Sequence, residues 1–146
     1  MENADDWKHA ELVMFMPSSW NPGEVLDTSS DIPHKDYWAI QTIKFFARFP
    51  HDYKTWLCSG HTIPNGPNYE PFLEGSEMGG IVLMELDEKS SPMVSENGTK
   101  VRLFAVVPVT RAETEFKLEH GMQALVEKFI ENEVSMTIDM YRKSVV

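Results

Sequence analysis

His61 and Cys58 are the side chains whose types could carry chemistry in this 146-residue chain. An imidazole directly after Gly60 stands where a general base could work, and a thiol three residues earlier could act as a nucleophile. Either role needs an oriented partner. Neighbours along a strand alternate faces, so positions 58 and 61 would point to opposite sides unless the chain bulges at Gly60. His51 and Asp52 are adjacent, yet the sequence holds neither HExxH nor a paired CxxC, the spacings that bring ligands together on zinc. Gly79-Gly80 lacks the spacing of a phosphate-binding loop. The two residues therefore read as a hydrogen-bonded structural histidine and a core cysteine, with no catalytic residue, metal or cofactor expected. A competing enzymatic reading is a hydrolase or transferase using His61 with a nearby Asp or Glu. It requires an accessible, oriented imidazole in a concave pocket.

The stretch that would position these residues covers 53–72. Thr55, Trp56 and Leu57 have the β-branched and aromatic character of a strand. Pro64, Asn65-Gly66, Pro67 and Pro71 cannot continue a sheet ladder, so a loop is predicted after it. That loop retains Ile63, Tyr69 and Phe72, which predicts packing against the body of the protein, and packed long loops often carry function. Tyr69, Glu70 and Phe72, where exposed, would form a protein-binding patch.

Upstream, residues 1–9 are polar, with Trp7 as an anchor. Residues 11–16 read as a strand without clean alternation, predicted to be buried on both faces, and Pro17 ends it. Residues 18–33 read as a loop with Trp20 tucked beneath. Asp36 is expected to cap a helix that runs to about Phe49, because Pro50 disfavours helical geometry at the residue before it. Ile40, Ile43 and Ala47 make one apolar stripe and Trp38, Phe45 and Phe49 another, which predicts a helix buried between layers, with Trp38 and Phe46 in the core.

Downstream, residues 80–85 and 100–109 are strongly apolar strands separated by a polar stretch with an Asn97-Gly98 turn. Pro108 suggests a sheet edge or a strand end. Thr110 and Glu113 have the spacing of a capping box at the start of a helix. That helix offers Leu118, Met122, Leu125 and Phe129 on one face, and Gly121 within it marks a break or a close backbone approach. Residues 135–139 are expected to form a last short strand, with Asp139 and Arg142 as a salt bridge fixing the tail or, alternatively, a recognition pair. The order predicts an α+β fold in a single domain over residues 1–146, a mixed β-sheet covered by two main helices.

Thirteen Lys and Arg against 23 Asp and Glu give a net charge of −10. Such a field repels nucleic-acid phosphates and anionic headgroups and favours encounter with basic partners, so neither nucleic acid nor membrane is an expected partner. A lone cysteine excludes an internal disulfide and suits a reducing compartment. The acidic start is unlike a signal peptide, and no apolar run approaches the ~20 residues that span a bilayer. A cytoplasmic protein is expected.

Several segments carry a resemblance when taken together and in order. Ala10, Glu11, Leu12 and Val13 come first, with Met16-Pro17 and Trp20; Tyr37-Trp38 follows, with Phe46, Ala47, Arg48, Phe49 and Pro50. At the centre stand Thr55, Trp56 and Leu57, then Gly60, His61, Thr62, Ile63, Pro64, Asn65 and Gly66, and Glu70, Pro71 and Phe72. Val107-Pro108, Glu115, Gly121, Leu125, Ile138-Asp139 and Arg142 complete the set. From about residue 10 to 143 the chain resembles the suppressor of fused domain family, and within it the small single-domain bacterial branch. The start looks short against the family, which has more sequence before this first strand.

The resemblance implies a non-enzymatic, protein-binding domain. In the bacterial branch it implies an immunity protein that neutralises a toxin. The animal branch binds a short peptide added as a strand, held in part by a carboxylate between the glycine and histidine of the central strand. Here Gly60 and His61 are adjacent, with no acid between them and no counterpart of the second domain that completes the animal cleft. The expected mechanism is occlusion of a basic toxin domain by a surface formed from Trp56, Gly60, His61, Tyr69, Glu70 and Phe72. The alternative is a regulatory module that adds a short peptide as a strand at an open edge beside the central strand.

Overall fold

The structure, a computed structural model, describes residues 8–146, and the expected Trp7 anchor lies outside the described residues. Two strands form its centre because both can be buried on both faces. β3 (Met78–Glu85) runs antiparallel to β5 (Lys100–Thr110), with Val82 opposite Val107 and Leu83 opposite Val106. Ile81, Leu83, Phe104 and Val106 pack on one face with Phe46, whereas Val82 and Val109 pack on the other with Leu125 and Phe129. Each face therefore needs a helical cover. α2 (Trp38–Asp52) supplies the first, and α3 (Arg111–His120) with α4 (Met122–Glu131) supplies the second.

The sheet order is β1-β5-β3-β2, and the fold is α+β with a mixed five-stranded sheet. β1 (Ala10–Val13) lies parallel to β5, with Ala10 opposite Arg102. β2 (Thr62–Pro64) lies antiparallel to β3 and forms the other edge. β4 (Met93–Val94) pairs with the start of β5 through a turn in which Gly98 takes φ +83° and donates its N–H to Ser95.

Pro108 sits inside β5, opposite Ile81. Its carbonyl accepts from Arg142 Nη2 at 3.1 Å, so that side of the residue faces away from β3. A strand residue turns its N–H and C=O to the same side, and β1 pairs only as far as Ala105. The missing donor therefore costs no ladder bond.

The helices depart from expectation in three places. α2 continues through Pro50 to Asp52, because a proline there loses only its bond to the Phe46 carbonyl, while Tyr53 and Thr55 donate to Phe49 and Pro50 and close the end. Asp36 does not cap it. It lies in a 3-10 turn (Lys35–Tyr37) capped by His34, whose Nδ1 accepts the Asp36 N–H at 3.2 Å. Nor is α2 buried between layers: Trp38, Ala39, Thr42 and Phe46 are buried on one face, while Ala47 and Phe45 are exposed on the other.

On the opposite side of the sheet, the capping box forms as expected, with Thr110 Oγ1 accepting the Glu113 N–H at 3.1 Å and Glu113 Oε2 accepting the Thr110 N–H at 2.9 Å. Gly121, at φ +91°, breaks the expected single helix into α3 and α4, with no atom within 4 Å of where a Cβ would stand. The break takes Leu118 off the buried face, leaving it 67% exposed.

Residues 135–139 form no strand; Ile138 instead donates its N–H to Phe15, and its side chain joins Trp38 and Met140 in the core. Residues 55–57 form no strand either, and β1 is shorter than expected, with its first two residues exposed at the sheet edge. The expected loop 18–33 contains a short helix, α1 (Pro22–Val25), capped by Asn21. Trp20 is half-buried there.

A candidate protein-binding surface at the edge of the sheet

Cys58 and His61 are brought together by a turn. Gly60 takes φ +86°, which a side chain would strain, and the His61 N–H donates to the Cys58 carbonyl at 3.2 Å. In return the Cys58 N–H donates to His61 Nδ1 at 3.3 Å. The histidine is thereby part of the turn that starts β2. Its ring meets Trp56 edge-on, with centroids 5.9 Å apart, and Trp56 is 55% exposed.

Cys58 is only half-buried, a correction to its expected place in the core, because residues 55–59 leave the sheet instead of entering it. Desolvation raises its thiol pKa, Glu85 adds to that, and Lys117 opposes it. A thiol held protonated is a poor nucleophile. Among the described residues no carboxylate hydrogen-bonds His61, and no group of three or more His, Cys, Asp and Glu could hold a metal ion.

The next segment is fastened to β3. Asn65 donates its N–H to Gly79 at 2.8 Å, Phe72 donates to Met78 at 3.0 Å, and Asn65 and Glu70 exchange two further bonds. Tyr69 adopts φ +54°, and its carbonyl lies against Gly79, where any Cβ would overlap it. Its ring approaches Gly80 on the α3 side and lies 5.4 Å from the Arg111 guanidinium. Phe72 turns the other way, its ring 5.4 Å from that of Trp38, and it packs on the α2 side of the core.

The six residues singled out in the sequence thus lie in three places. Trp56, Gly60 and His61 share the turn before β2. Phe72 belongs to the α2 side, whereas Tyr69 faces the α3 side beside an exposed Glu70. Trp38 and Phe46 are buried. Arg142 pairs with Glu113, at 2.6 and 2.9 Å, and Asp139 instead accepts the Tyr141 N–H. The expected Asp139 bridge is displaced because Glu113, fixed by the capping box, is fully buried beneath the tail.

Between α2 and β2 runs a groove of about 360 Å³, walled by Gln41 and Phe45 on one side and Ile63 and Pro64 on the other. Trp38, Phe46 and Phe72 line it as well. Gln41 and Phe45 were not marked by the sequence as site residues. Their signal was the excess of apolar residues around α2, which points equally well to a buried helix. The groove lies along a free strand edge: among the described residues β2 pairs with β3 alone. His61 and Asn65 bond inward to Leu83 and Gly79, so Thr62 between them turns its N–H and C=O outward. Pro64 has no N–H to offer, which keeps the exposed ladder short.

The profile of the family described as Suppressor of fused protein (SUFU) matches residues 1–143. The chain belongs to the suppressor of fused family. No curated protein matches it by sequence. Among solved structures, this suppressor of fused chain is similar to a suppressor of fused homologue from Neisseria gonorrhoeae FA 1090, with 25% identity, a TM-score of 0.58, and 78% of this chain and 59% of that one covered. It also shares its fold with the Sufu-Fu complex structure, at 14% identity and a TM-score of 0.60, covering 82% of this chain and 50% of that one. Drosophila Suppressor of Fused gives 14% identity and a TM-score of 0.59, covering 84% and 28%. The chain thus spans less than two thirds of each of these relatives. No helix among its described residues is long and apolar enough to cross a membrane.

Proposed function

We propose that this suppressor of fused domain is a non-enzymatic protein-binding module that takes an extended segment of its partner along β2, over the groove beside α2. The observation that carries this reading is the outward-facing backbone of Thr62 next to a groove lined by both aromatic and polar side chains. An added strand obtains main-chain hydrogen bonds from such an edge and specificity from side chains that enter the groove. Trp56 and His61 would flank one end and Phe72 would support the floor, while Tyr69 and Glu70 would hold the loop behind it. That a family relative was solved in a Sufu-Fu complex supports a protein partner.

A second reading, favoured by the net charge of −10, concerns who the partner is. An acidic cytoplasmic domain that steers a basic toxin onto this edge and occludes it would act as an immunity protein.

The test is capture of partners from the native lysate by the tagged chain and by Thr62→Pro, whose ring removes the outward donor, with both proteins melted as a control. A partner held by the parent and lost by Thr62→Pro at unchanged melting temperature is the expected result. Equal capture by both overturns the strand-edge site. For the immunity reading, the captured protein should be basic and should be released by salt.

A further inference from the structure

We propose that the outer face of α2 is a second docking surface, sharing only Phe45 with the β2 groove, and that its occupant is an acidic amphipathic helix of a partner protein. Phe45, Phe49 and Tyr53 follow one another at four-residue spacing, so their side chains form a continuous ridge along the helix. Ring centroids are 5.7 Å apart for the first pair and 4.6 Å for the second. Phe45 is 45% exposed and Tyr53 63% exposed, with the half-buried Phe49 ring between them. A contiguous, partly exposed apolar row of this kind marks an interaction surface.

The shape specifies a helix. A ridge at four-residue spacing packs into the groove between the corresponding ridges of a second helix, crossing it at about −50°. The charge specifies its sign. The neighbouring row on α2 carries Lys44 and Arg48, both exposed, and over residues 35–54 four cations stand against two carboxylates in a chain whose net charge is −10. Lys44 is braced by Tyr37, with Nζ 3.2 Å from its hydroxyl and 5.6 Å from the ring centroid. Among the described residues Arg48 has no carboxylate partner within salt-bridge distance. A basic strip beside an aromatic ridge fits a helix with an apolar i, i+4 stripe flanked by Asp and Glu, and it disfavours the basic partner that the rest of the surface attracts.

The experiment uses two designed alanine-based helical peptides of about 20 residues, long enough to hold a helix, each with a leucine stripe. One is flanked by Glu and the other by Lys. Calorimetry with the full chain should show the Glu peptide binding about tenfold or more tighter than the Lys peptide, and its affinity should fall as salt rises. Arg48→Glu should abolish or reverse the preference, and Tyr53→Ser should weaken the Glu peptide, both at unchanged melting temperature. Neither residue lines the β2 groove, so Thr62→Pro should leave this binding intact, which separates failure here from failure of the groove reading. No binding of either peptide, or equal binding of both, overturns the proposal. So does a dimer in analytical ultracentrifugation that Tyr53→Ser dissolves, since the occupant would then be a second copy of the chain.

Discussion

The two covers of the sheet are finished in opposite ways. On the α3–α4 side, a buried carboxylate, Glu113, accepts from the Thr110 and Val145 amides and from both Nη atoms of Arg142, so helix start, strand end and tail meet on one charge. On the α2 side, the helix buries four residues and leaves a groove, an unpaired strand edge and a row of partly exposed rings. The difference teaches where this fold is held and where it is available. Polar closure is concentrated on one fully buried carboxylate beneath the tail, whereas the α2 side leaves a groove beside the strand edge.

Removing the cation from the closed side should have the largest effect. Arg142→Ala leaves Glu113 buried with an uncompensated charge and should lower stability by about 3–5 kcal/mol in urea unfolding. Arg48→Ala on the open side should change it by less than about 0.5 kcal/mol. Comparable losses at the two positions would erase the contrast.

A smaller effect is expected where the loop crosses between the covers. Gly79→Ala drives a methyl group into the Tyr69 carbonyl, and because both partners are backbone the loop must lift, at about 1–3 kcal/mol. A parent-like melt would show that the loop does not depend on that contact.

The smallest effect concerns Cys58, whose thiol pKa is raised by burial and lies in the field of Lys117 from α3 and Glu85 from β3. Alkylation by iodoacetamide should reach half its limiting rate at a higher pH in the folded chain than in urea, and Lys117→Gln should move that midpoint further up. The associated stability is fully present below the unfolded thiol's value and is lost as pH rises through the folded one. A midpoint lower in the folded chain than in urea would mean that Lys117 outweighs burial.

Much of the closed side was legible in the sequence, because its signals are local. Thr110 and Glu113 stand three apart, and the apolar runs of β3 and β5 are unbroken because both faces are covered. The open side was not. Phe45 and Phe49 look like core residues in any window, and only the position of the sheet decides which stripe of α2 is inward. Residues 55–57 have strand composition, yet the turn fixed by Gly60 delays pairing until residue 60. Arg142 was visible as a charged anchor for the tail, but its true partner lies 29 residues away, beyond what spacing can reveal.

The parallel pairing of β1 with β5 bears on how the chain is made. Ala10 must meet Arg102, so β1, the first strand among the described residues, cannot take up its pairing until β5 has been synthesised. At ordinary translation speeds that interval is on the order of 5–20 s. During it β1 presents a free backbone edge to whatever is nearby. A chaperone that shields residues 10–13 would be needed early in synthesis and dispensable once β5 has emerged.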